Sequence, residues 1–318
     1  EDFDLRVHCA DLSAADIGNL LSLAGLDVIR SGRRVLLPAP VPGLSAIANR
    51  LLAKVPVLDR LDLVHFCIGR LPEPWGGRPS VTVVIPARNE RGNIEEAVRR
   101  IPDMGSGVEI LFVEGGSDDG TADEIRRVAA AWEGRRRIRH ITQSGKGKAN
   151  AVREAFDVAE GDVLMILDAD LTVPPEDLPK FLDALVSGKA EFVNGCRLVY
   201  PLEDQAMRLL NLAANKMFGD IFSWIMEQRV KDTLCGTKVI SREDYARIAA
   251  RRDSLGRMDP FGDFDLLFGA STLNLAMVEV PVRYRARTYG ETNISRFRHG
   301  VMLFRMAWEG SRRLKLSS

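Results

Sequence analysis

The chain has 318 residues, in which 44 Lys and Arg balance 44 Asp and Glu, and 46% of the residues are hydrophobic. This neutral balance argues against nucleic-acid binding, which needs a basic excess, and the apolar fraction is ordinary for a globular protein with a sizeable core. The four cysteines and four histidines lack disulfide or zinc-site spacing, and neither a membrane-spanning run nor a signal peptide is evident, which together predict a cytoplasmic protein.

Residues 1–77 are predicted to form a small α/β region. Ser13 and Asp16 have the spacing of a capping box, which predicts a helix that ends at Gly25. The other predicted elements are two short strands around a turn at Ser31 and Gly32, a second helix and a third strand: residues 26–29, 34–37, 44–55 and 61–68.

The order of these elements resembles the C-terminal end of a class I S-adenosylmethionine methyltransferase. The residues that carry the resemblance are the turn at 24–29 and the stretch at 34–38. The Gly-rich cofactor loop of those enzymes is absent, so methyl transfer by this chain alone is not expected. The resemblance implies that residues 1–77 are a partial methyltransferase-like segment at the end of an upstream domain.

A linker rich in proline and glycine leads into the second predicted domain, residues 78–318. The first two helices of this domain are predicted to start at capping boxes, Asn93 with Glu96 and Thr121 with Glu124. Alternation of strands and helices predicts an α/β fold, a mostly parallel sheet with helices on both faces, and ligands bind such sheets at the carboxyl ends of the strands. Four apolar strands are expected here: residues 81–86, 108–113, 137–141 and 162–167.

Asp168 and Asp170 directly follow the fourth of these strands. Two carboxylates separated by one small residue repel each other unless a cation or a network of donors lies between them. A hard divalent cation that holds a diphosphate suits such a pair. The alternative is that this Asp-x-Asp sequence only ends the strand in a turn, where Asp is common.

Four segments of this domain, in this order, resemble the inverting family 2 glycosyltransferases of the GT-A fold. The segments are 85–90, 114–121, 145–148 and 168–170, and the resemblance extends from about Ser80 to Gly300. Within that family the likeness is to polyprenol-phosphate sugar transferases typified by dolichol-phosphate mannose synthase. The resemblance implies a nucleotide-sugar donor, a lipid-phosphate acceptor and Mg²⁺ or Mn²⁺ as cofactor.

The resemblance also implies roles for single residues. Asp168 and Asp170 would bind the metal, and together with Ala169 they would hold the ribose and the diphosphate. Five further residues would line the nucleotide pocket: Pro86, Arg88, Glu90, Glu114 and Lys146. Three cations would meet the phosphates of donor or acceptor: Arg197, Lys238 and Arg287.

The chain departs from the family pattern at three positions. Gly115 stands where members usually carry an Asp that contacts the base, so either Glu114 compensates or the base contact differs. Thr172 stands where a Gln often adds a metal ligand, and Thr is a weaker one. Asn293 replaces a Lys that grips phosphate.

The chemistry of sugar transfer points to two catalytic candidates, Asp170 and Asp263. Breaking a sugar-diphosphate bond leaves negative charge on the nucleotide, which a divalent cation on Asp170 would stabilise. An acceptor hydroxyl would also need a general base, whereas an acceptor phosphate is already ionised. Asp263 is the candidate base, although an Asp is also common at the start of a helix. Asp265 is expected to be structural and to lie at that helix start.

Arginines alternate along a predicted strand, residues 282–287, which would bring them to one face. Arg283 and Arg285 are expected to be solvated, as most charge runs are. For Arg296 and Arg298 two predictions remain, a phosphate-binding site or a solvated basic face.

Two long segments, residues 207–226 and 297–316, combine apolar helical stripes with basic residues. Helices of this kind can lie in a bilayer interface, and core packing or a seam between two copies of the chain is the alternative. A lipid-phosphate acceptor would suit helices in the bilayer interface, with the protein peripheral at the inner face of the membrane.

The sequence therefore predicts a metal-dependent, inverting glycosyltransferase that moves a sugar from a nucleotide donor to a polyprenyl phosphate or related acceptor. One alternative transfers the sugar to a small-molecule or saccharide hydroxyl with Asp263 as base. An alternative of another class is a non-catalytic nucleotide-binding partner of an upstream methyltransferase.

Overall fold

The structure is a computed structural model that describes residues 13–55, 58–199, 209–252, 262–285, 287, 289 and 296–316, without the side chains of 209–213 and 296–299. The chain forms two compact units that part between Pro72 and Glu73. Each unit is built from its own sheet.

The described part of the first unit contains two helices and a two-stranded antiparallel sheet. The predicted capping box is present, because the amide of Asp16 donates to Ser13 Oγ at 3.3 Å and the amide of Ser13 donates to Asp16 Oδ2 at 2.9 Å. The elements, apart from short 3₁₀ turns, are α1 (Ala14–Leu23), β1 (Asp27–Arg34), α2 (Leu44–Arg50) and β2 (Val64–Arg70).

The predicted turn at Ser31 and Gly32 is wrong, since both residues lie inside the single strand β1. Gly32 pairs with Phe66 of β2, and a Cβ at Gly32 would stand 2.6 Å from Phe66 Cε1. The glycine therefore makes room for an aromatic ring across the sheet, which is a different use of glycine from a turn.

The second unit is organised around a seven-stranded sheet. The strands are β3 (Ser80–Ala87), β4 (Gly107–Glu114), β5 (Arg137–Thr142), β6 (Val163–Ile166), β7 (Phe192–Cys196), β8 (Lys238–Ser241) and β9 (Met277–Pro281). Their order in the sheet is β5-β4-β3-β6-β8-β7-β9. Strands β3 to β6 run parallel, β8 is antiparallel to both β6 and β7, and β9 is parallel to β7. The predicted α/β fold with a mostly parallel sheet is confirmed.

Helices cover both faces of this sheet. Successive strand residues point to opposite faces and therefore join different cores. Val83 and Ile85 of β3 join the apolar core under α3, α4 and α6, whereas Val84 joins the core under α5, α7, α8, α9 and α10. The helices are α3 (Ile94–Arg100), α4 (Thr121–Ala131), α5 (Lys148–Val158), α6 (Leu178–Val186), α7 (Leu209–Met226), α8 (Arg242–Ala250), α9 (Asp263–Thr272) and α10 (Arg296–Gly310), which continues into a π-helical turn at Ser311–Lys315.

The two capping boxes predicted for α3 and α4 are wrong. The side-chain amide of Asn93 donates to Glu90 Oε2 at 2.7 Å and makes no cap bond. Thr121 is the first residue of α4, after an N-cap Gly120 with φ of 85°, and its amide donates to Asp119 Oδ1 at 3.0 Å. The polar side chains at these helix starts are bonded within the loops.

The strand predicted over residues 282–287 is also wrong, since β9 ends at Pro281. Arg283 and Arg285 are exposed, and Arg287 is half-buried. The side chains of Arg296 and Arg298, and all of Asn293, lie outside the described residues.

Gly105 shapes the turn that starts β4 beside β3. Its φ is +63°, and a Cβ there would stand 2.1 Å from the carbonyl oxygen of Pro79, which also accepts the amide of Ser106 at 3.0 Å. We expect Gly105→Ala to lower the free energy of unfolding by about 2 kcal/mol or more, because a left-handed alanine is strained and its methyl group collides. Urea unfolding measures the change.

Gly107→Ala is the matched control, since a Cβ at Gly107 has nothing within 4 Å. We expect it to stay within about 0.5 kcal/mol of wild type. Equal losses in the two variants would contradict the role given to Gly105.

Candidate active site

The loops after β3 and β4 are bonded to each other at the carboxyl edge of the sheet. Asn89, with a φ of +57°, donates its amide to Ser117 Oγ at 3.0 Å and accepts the amide of Asp118 on Oδ1 at 2.9 Å. The amide of Gly115 donates to the carbonyl of Ala87 at 3.0 Å. Left-handed backbone is tolerated by Asn better than by most residues, so this position suits the sequence.

Glu90 and Glu114, both predicted pocket residues, are buried where these loops meet. Burial raises the pKa of Glu90, whose Oε2 accepts from Asn93. Burial also pushes up the pKa of Glu114, but hydrogen bonds from Ser117 and Gly116 outweigh it and hold that pKa below its usual range. Glu114 Oε1 is thus directed to its own loop, 2.6 Å from the amide of Ser117.

Gly115 has little room for a side chain. A Cβ there would stand 3.3 Å from Arg88 Cβ and 3.3 Å from Gln143 Oε1, which is tighter than ordinary packing. An Asp at this position would press on both neighbours. Of the two other predicted pocket residues nearby, Pro86 near the end of β3 is half-buried and Arg88, just after β3, is exposed.

Asp170 is held on both of its oxygens. Thr172 donates its amide at 3.1 Å and its hydroxyl at 2.8 Å to Asp170 Oδ1, so Thr172 orients this carboxylate. Arg287 Nη2 donates to Asp170 Oδ2 at 2.7 Å, and its Nη1 lies 3.4 Å from Glu90 Oε1. Leu171 adopts a φ of +54°, which is a strained conformation for a leucine.

Asp168 is paired with Lys148, which is not among the predicted site residues. Lys148 Nζ lies 2.5 Å from Asp168 Oδ1, whereas the predicted Lys146 is exposed in the loop before α5. Burial pushes up the pKa of Asp168, but Lys148, Lys238 and Arg197 outweigh it, and the pKa is lowered. Lys148 belongs to the same Gly-Lys-Gly-Lys motif as Lys146. It is the first residue of α5, so its place at a predicted helix start is the sequence signal that favours Lys148 over Lys146.

Gly236 lies directly against this ion pair. A Cβ at Gly236 would stand 2.1 Å from Asp168 Oδ2 and 2.5 Å from Lys148 Nζ. The close approach of main chain to two charged groups requires a glycine here.

The cations Lys238 and Arg197 each have a buried carboxylate partner. Lys238 Nζ donates to Asp263 Oδ1 at 2.9 Å, and both residues are almost fully buried. Arg197 donates from Nε and Nη2 to the two oxygens of Asp232, both at 2.7 Å, and its guanidinium lies 5.2 Å from the Tyr284 ring. Asp232 opens the segment that contains Lys238, yet no local pattern marks it as the partner of Arg197.

Asp265 has the structural position that was expected of it. Its Oδ2 accepts from Arg153 Nε at 3.0 Å and from Arg252 Nε at 3.1 Å. These bonds join α9 to α5 and to the end of α8.

The donor set suits a hard divalent cation that is bound partly by its substrate. Asp168 and Asp170 offer carboxylate oxygens, the ligands that Mg²⁺ and Mn²⁺ prefer. Within the part of the chain that the structure describes, no group of three or more His, Cys, Asp or Glu side chains could hold a metal ion. A cation at Asp168 and Asp170 would therefore need further ligands from a diphosphate or water.

The α/β fold with a mostly parallel sheet is shared with solved glycosyltransferase structures, and in this chain the carboxyl edge of the sheet carries the carboxylate pair and clustered cations. The family model for glycosyl transferase family 2 matches residues 82–252, more than half of the 318 residues. The chain belongs to glycosyl transferase family 2 and is a glycosyltransferase. The match lies within the second unit, so the methyltransferase-like assignment of residues 1–77 stays a prediction.

Curated relatives are similar over different shares of their length. Glycosyltransferase AglJ of Haloferax volcanii is 29% identical over 227 residues, 71% of this chain and 70% of the relative. The dolichol-phosphate mannosyltransferase of Pyrococcus furiosus is 36% identical over 37% of this chain and 33% of the relative. An undecaprenyl-phosphate 4-deoxy-4-formamido-L-arabinose transferase of Edwardsiella ictaluri is 37% identical over 34% of each.

Solved structures with the same fold include glucosyl-3-phosphoglycerate synthase from Mycobacterium tuberculosis. Its complex with Mn²⁺, uridine diphosphate and glucosyl-3-phosphoglycerate has a TM-score of 0.52 and 18% identity, over 74% of this chain and 80% of that one. At this identity the likeness concerns the fold alone. Among the residues that the structure describes, no helix is both long enough and apolar enough to span a bilayer.

Gly236→Ala is expected to displace Asp168 from Lys148, because the new methyl group would overlap both charged groups. A displacement of about 1 Å in a catalytic site can cost about 100-fold in rate, and we expect a loss of that order in turnover of the sugar donor. Gly76→Ala is the matched control, since a Cβ there meets nothing within 4 Å. If Gly236→Ala keeps the wild-type rate, the contact at Gly236 is unimportant for the site.

Proposed function

We propose that this chain is an inverting, metal-dependent glycosyltransferase that moves a sugar from a nucleotide donor to a polyprenyl phosphate or related lipid phosphate. The observation that carries the proposal is the cluster at the end of β6, where Asp168 and Asp170 contact Lys148 and Arg287. Relatives named for dolichol phosphate and undecaprenyl phosphate support the acceptor class.

The donor half of the site is argued from its charges. Asp168 and Asp170 would hold a divalent cation, and the Mn²⁺ and uridine-diphosphate complex of the synthase with the same fold supports a cation of this kind. When bound, it would neutralise the charge that develops on the leaving nucleoside diphosphate. Arg287, which now bridges Asp170 and Glu90, has the fork of donors that suits a phosphate.

The acceptor half is argued from Asp263. A general base needs a carboxylate that is free to approach and deprotonate a hydroxyl. Asp263 is 5% exposed and bonded to Lys238, which is itself 1% exposed. This pairing favours an acceptor that is already ionised, such as a phosphate, over a hydroxyl that needs Asp263 as base.

Acceptor assays test the proposal directly. We expect sugar transfer to undecaprenyl phosphate from one of a panel of UDP- and GDP-sugars in the presence of Mg²⁺ or Mn²⁺, and none to undecaprenol, whose acceptor group is a hydroxyl. EDTA should abolish transfer, and Asp170→Ala should reduce it by about 100-fold or more. Asp183→Ala, at an exposed aspartate of α6, is the control.

Two results would change the conclusion. Transfer to the alcohol and not to the phosphate would favour the hydroxyl acceptor with Asp263 as base. Full activity with EDTA and in Asp170→Ala would overturn the metal-dependent mechanism.

One side of α10 supports an acceptor in a membrane. Val301, Phe304 and Trp308 are 71%, 57% and 68% exposed and follow a helical spacing that brings them to one side. The exposed Arg305 and Arg312 flank them. Aromatic and basic residues in this arrangement are typical of helices in an anionic bilayer interface, and we propose that this face of α10 lies on such a surface.

The opposite side of α10 packs in the core through Leu303, Met306 and Ala307. Core packing, the alternative weighed for this segment, therefore accounts for one side of the helix only.

We expect the double change Phe304→Ser and Trp308→Ser to weaken binding to vesicles that contain phosphatidylglycerol by about tenfold or more, because two large apolar side chains no longer leave water. Vesicle flotation measures this binding. Val158→Ser, at a 42% exposed position of α5, is the control. Unchanged vesicle binding together with dissociation of a dimer would instead identify a seam between two copies.

A further inference from the structure

Lys148 occupies the space beside the first carboxylate of the Asp-x-Asp pair. Its Nζ lies 2.5 Å from Asp168 Oδ1. The main chain of Gly236 restricts access to the other oxygen of Asp168, because a Cβ at Gly236 would stand 2.1 Å from Asp168 Oδ2. A metal ion that approached Asp168 would therefore meet the ammonium group at close range.

The position of Lys148 is anchored by the start of two helices. It is the first residue of α5, and the next residue, Ala149, packs against Gly262 at the start of α9. A Cβ at Gly262, whose φ is +79°, would stand 2.9 Å from Ala149 Cα. The backbone at the start of α5 therefore has little room to shift towards α9.

Carboxylates surround Lys148. Its Nζ pairs with Asp168, and Asp263 and Asp170 add further negative charge nearby. Asp168 in turn is faced by Lys238 and Arg197 in addition to Lys148. Since Arg287 also contacts Asp170, both carboxylates of the pair already have a cationic partner.

A lone divalent cation would have to compete with Lys148 and Arg287 for Asp168 and Asp170, and its repulsion by these like charges in a partly buried site is strong. A nucleoside diphosphate carries negative charge of its own and reverses that balance. Metal and nucleotide would then be bound far more favourably together than the metal alone, which is a positive coupling between two ligands.

We propose that Lys148 is a built-in counter-ion of Asp168 that keeps divalent metal ions from the carboxylate pair until a nucleoside diphosphate binds. This inference rests on the proposed donor site. Lys148 is a positioning residue in this scheme, because it acts through Asp168.

The test measures Mn²⁺ binding to the full chain without any nucleotide, from the electron paramagnetic resonance signal of free Mn²⁺. We expect weak binding by wild type and binding about tenfold tighter or more by Lys148→Met, because one repelling charge is removed and Asp168 is released. Lys148→Arg retains the charge and should bind as weakly as wild type. Lys189→Met, at an exposed lysine between α6 and β7, should equal wild type.

Two further arms identify the path of the effect. The double variant Lys148→Met with Asp168→Asn should lose the gain, since the released carboxylate is absent. Relative to protein-free samples of Mn²⁺ with the same nucleotide, UDP or GDP should strengthen Mn²⁺ binding by wild type about tenfold or more, and this enhancement should be smaller in Lys148→Met. Thermal unfolding checks that each variant is folded, and Lys148→Gln replaces Lys148→Met if the latter does not fold.

The inference and the proposed function fail in different ways. If wild type takes up Mn²⁺ with UDP or GDP but the neutral variants of Lys148 gain nothing without nucleotide, the counter-ion role is overturned and the donor site stands. Tight Mn²⁺ binding by wild type without nucleotide overturns the counter-ion role as well. If wild type binds Mn²⁺ in neither condition, the donor site itself is wrong.

Discussion

The site depends on the neutralisation of two neighbouring carboxylates, Asp168 and Asp170, at the end of β6. Left alone, these groups would repel each other in a partly buried position. Lys148 reaches Asp168 from the start of α5, and Arg287 reaches Asp170 from the segment after β9, although 117 residues separate that second pair in the chain. The sheet is what brings these cations together, because the carboxyl ends of its strands share one edge.

Buried ion pairs lie next to this edge of the sheet. Lys238, Asp263 and Asp232 are almost fully buried, and the side chain of Arg197 is 11% exposed. Burial of two charges is costly, and removal of one partner leaves the other uncompensated, so such pairs contribute geometry more than stability. Groups that are already oriented need no rearrangement when charge develops in a reaction, which is the main way in which polar sites accelerate it.

The two sides of α10 have different surroundings. α10 buries Leu303 and Met306 in the core that α7 and α9 share, and exposes Phe304 and Trp308 on its other side. Phe304 also contacts Phe218 of α7, with ring centroids 5.0 Å apart. The same helix can therefore stabilise the catalytic unit and offer an apolar surface, since its two sides have different neighbours.

The sequence by itself determined the alternation of strands and helices from residue 81 onward and the position of Asp168 and Asp170 after a buried strand, because apolar runs and their spacing are local signals. It did not determine which side chain each polar group meets. The local pattern predicts caps at Asn93 and Thr121, which instead bond within the loops. It points to Lys146 where Lys148 makes the contact, and nothing local marks Asp232. Only the tertiary structure decided these partners, because crossover connections bring together residues that are distant in the chain, and nothing in the local sequence records that proximity.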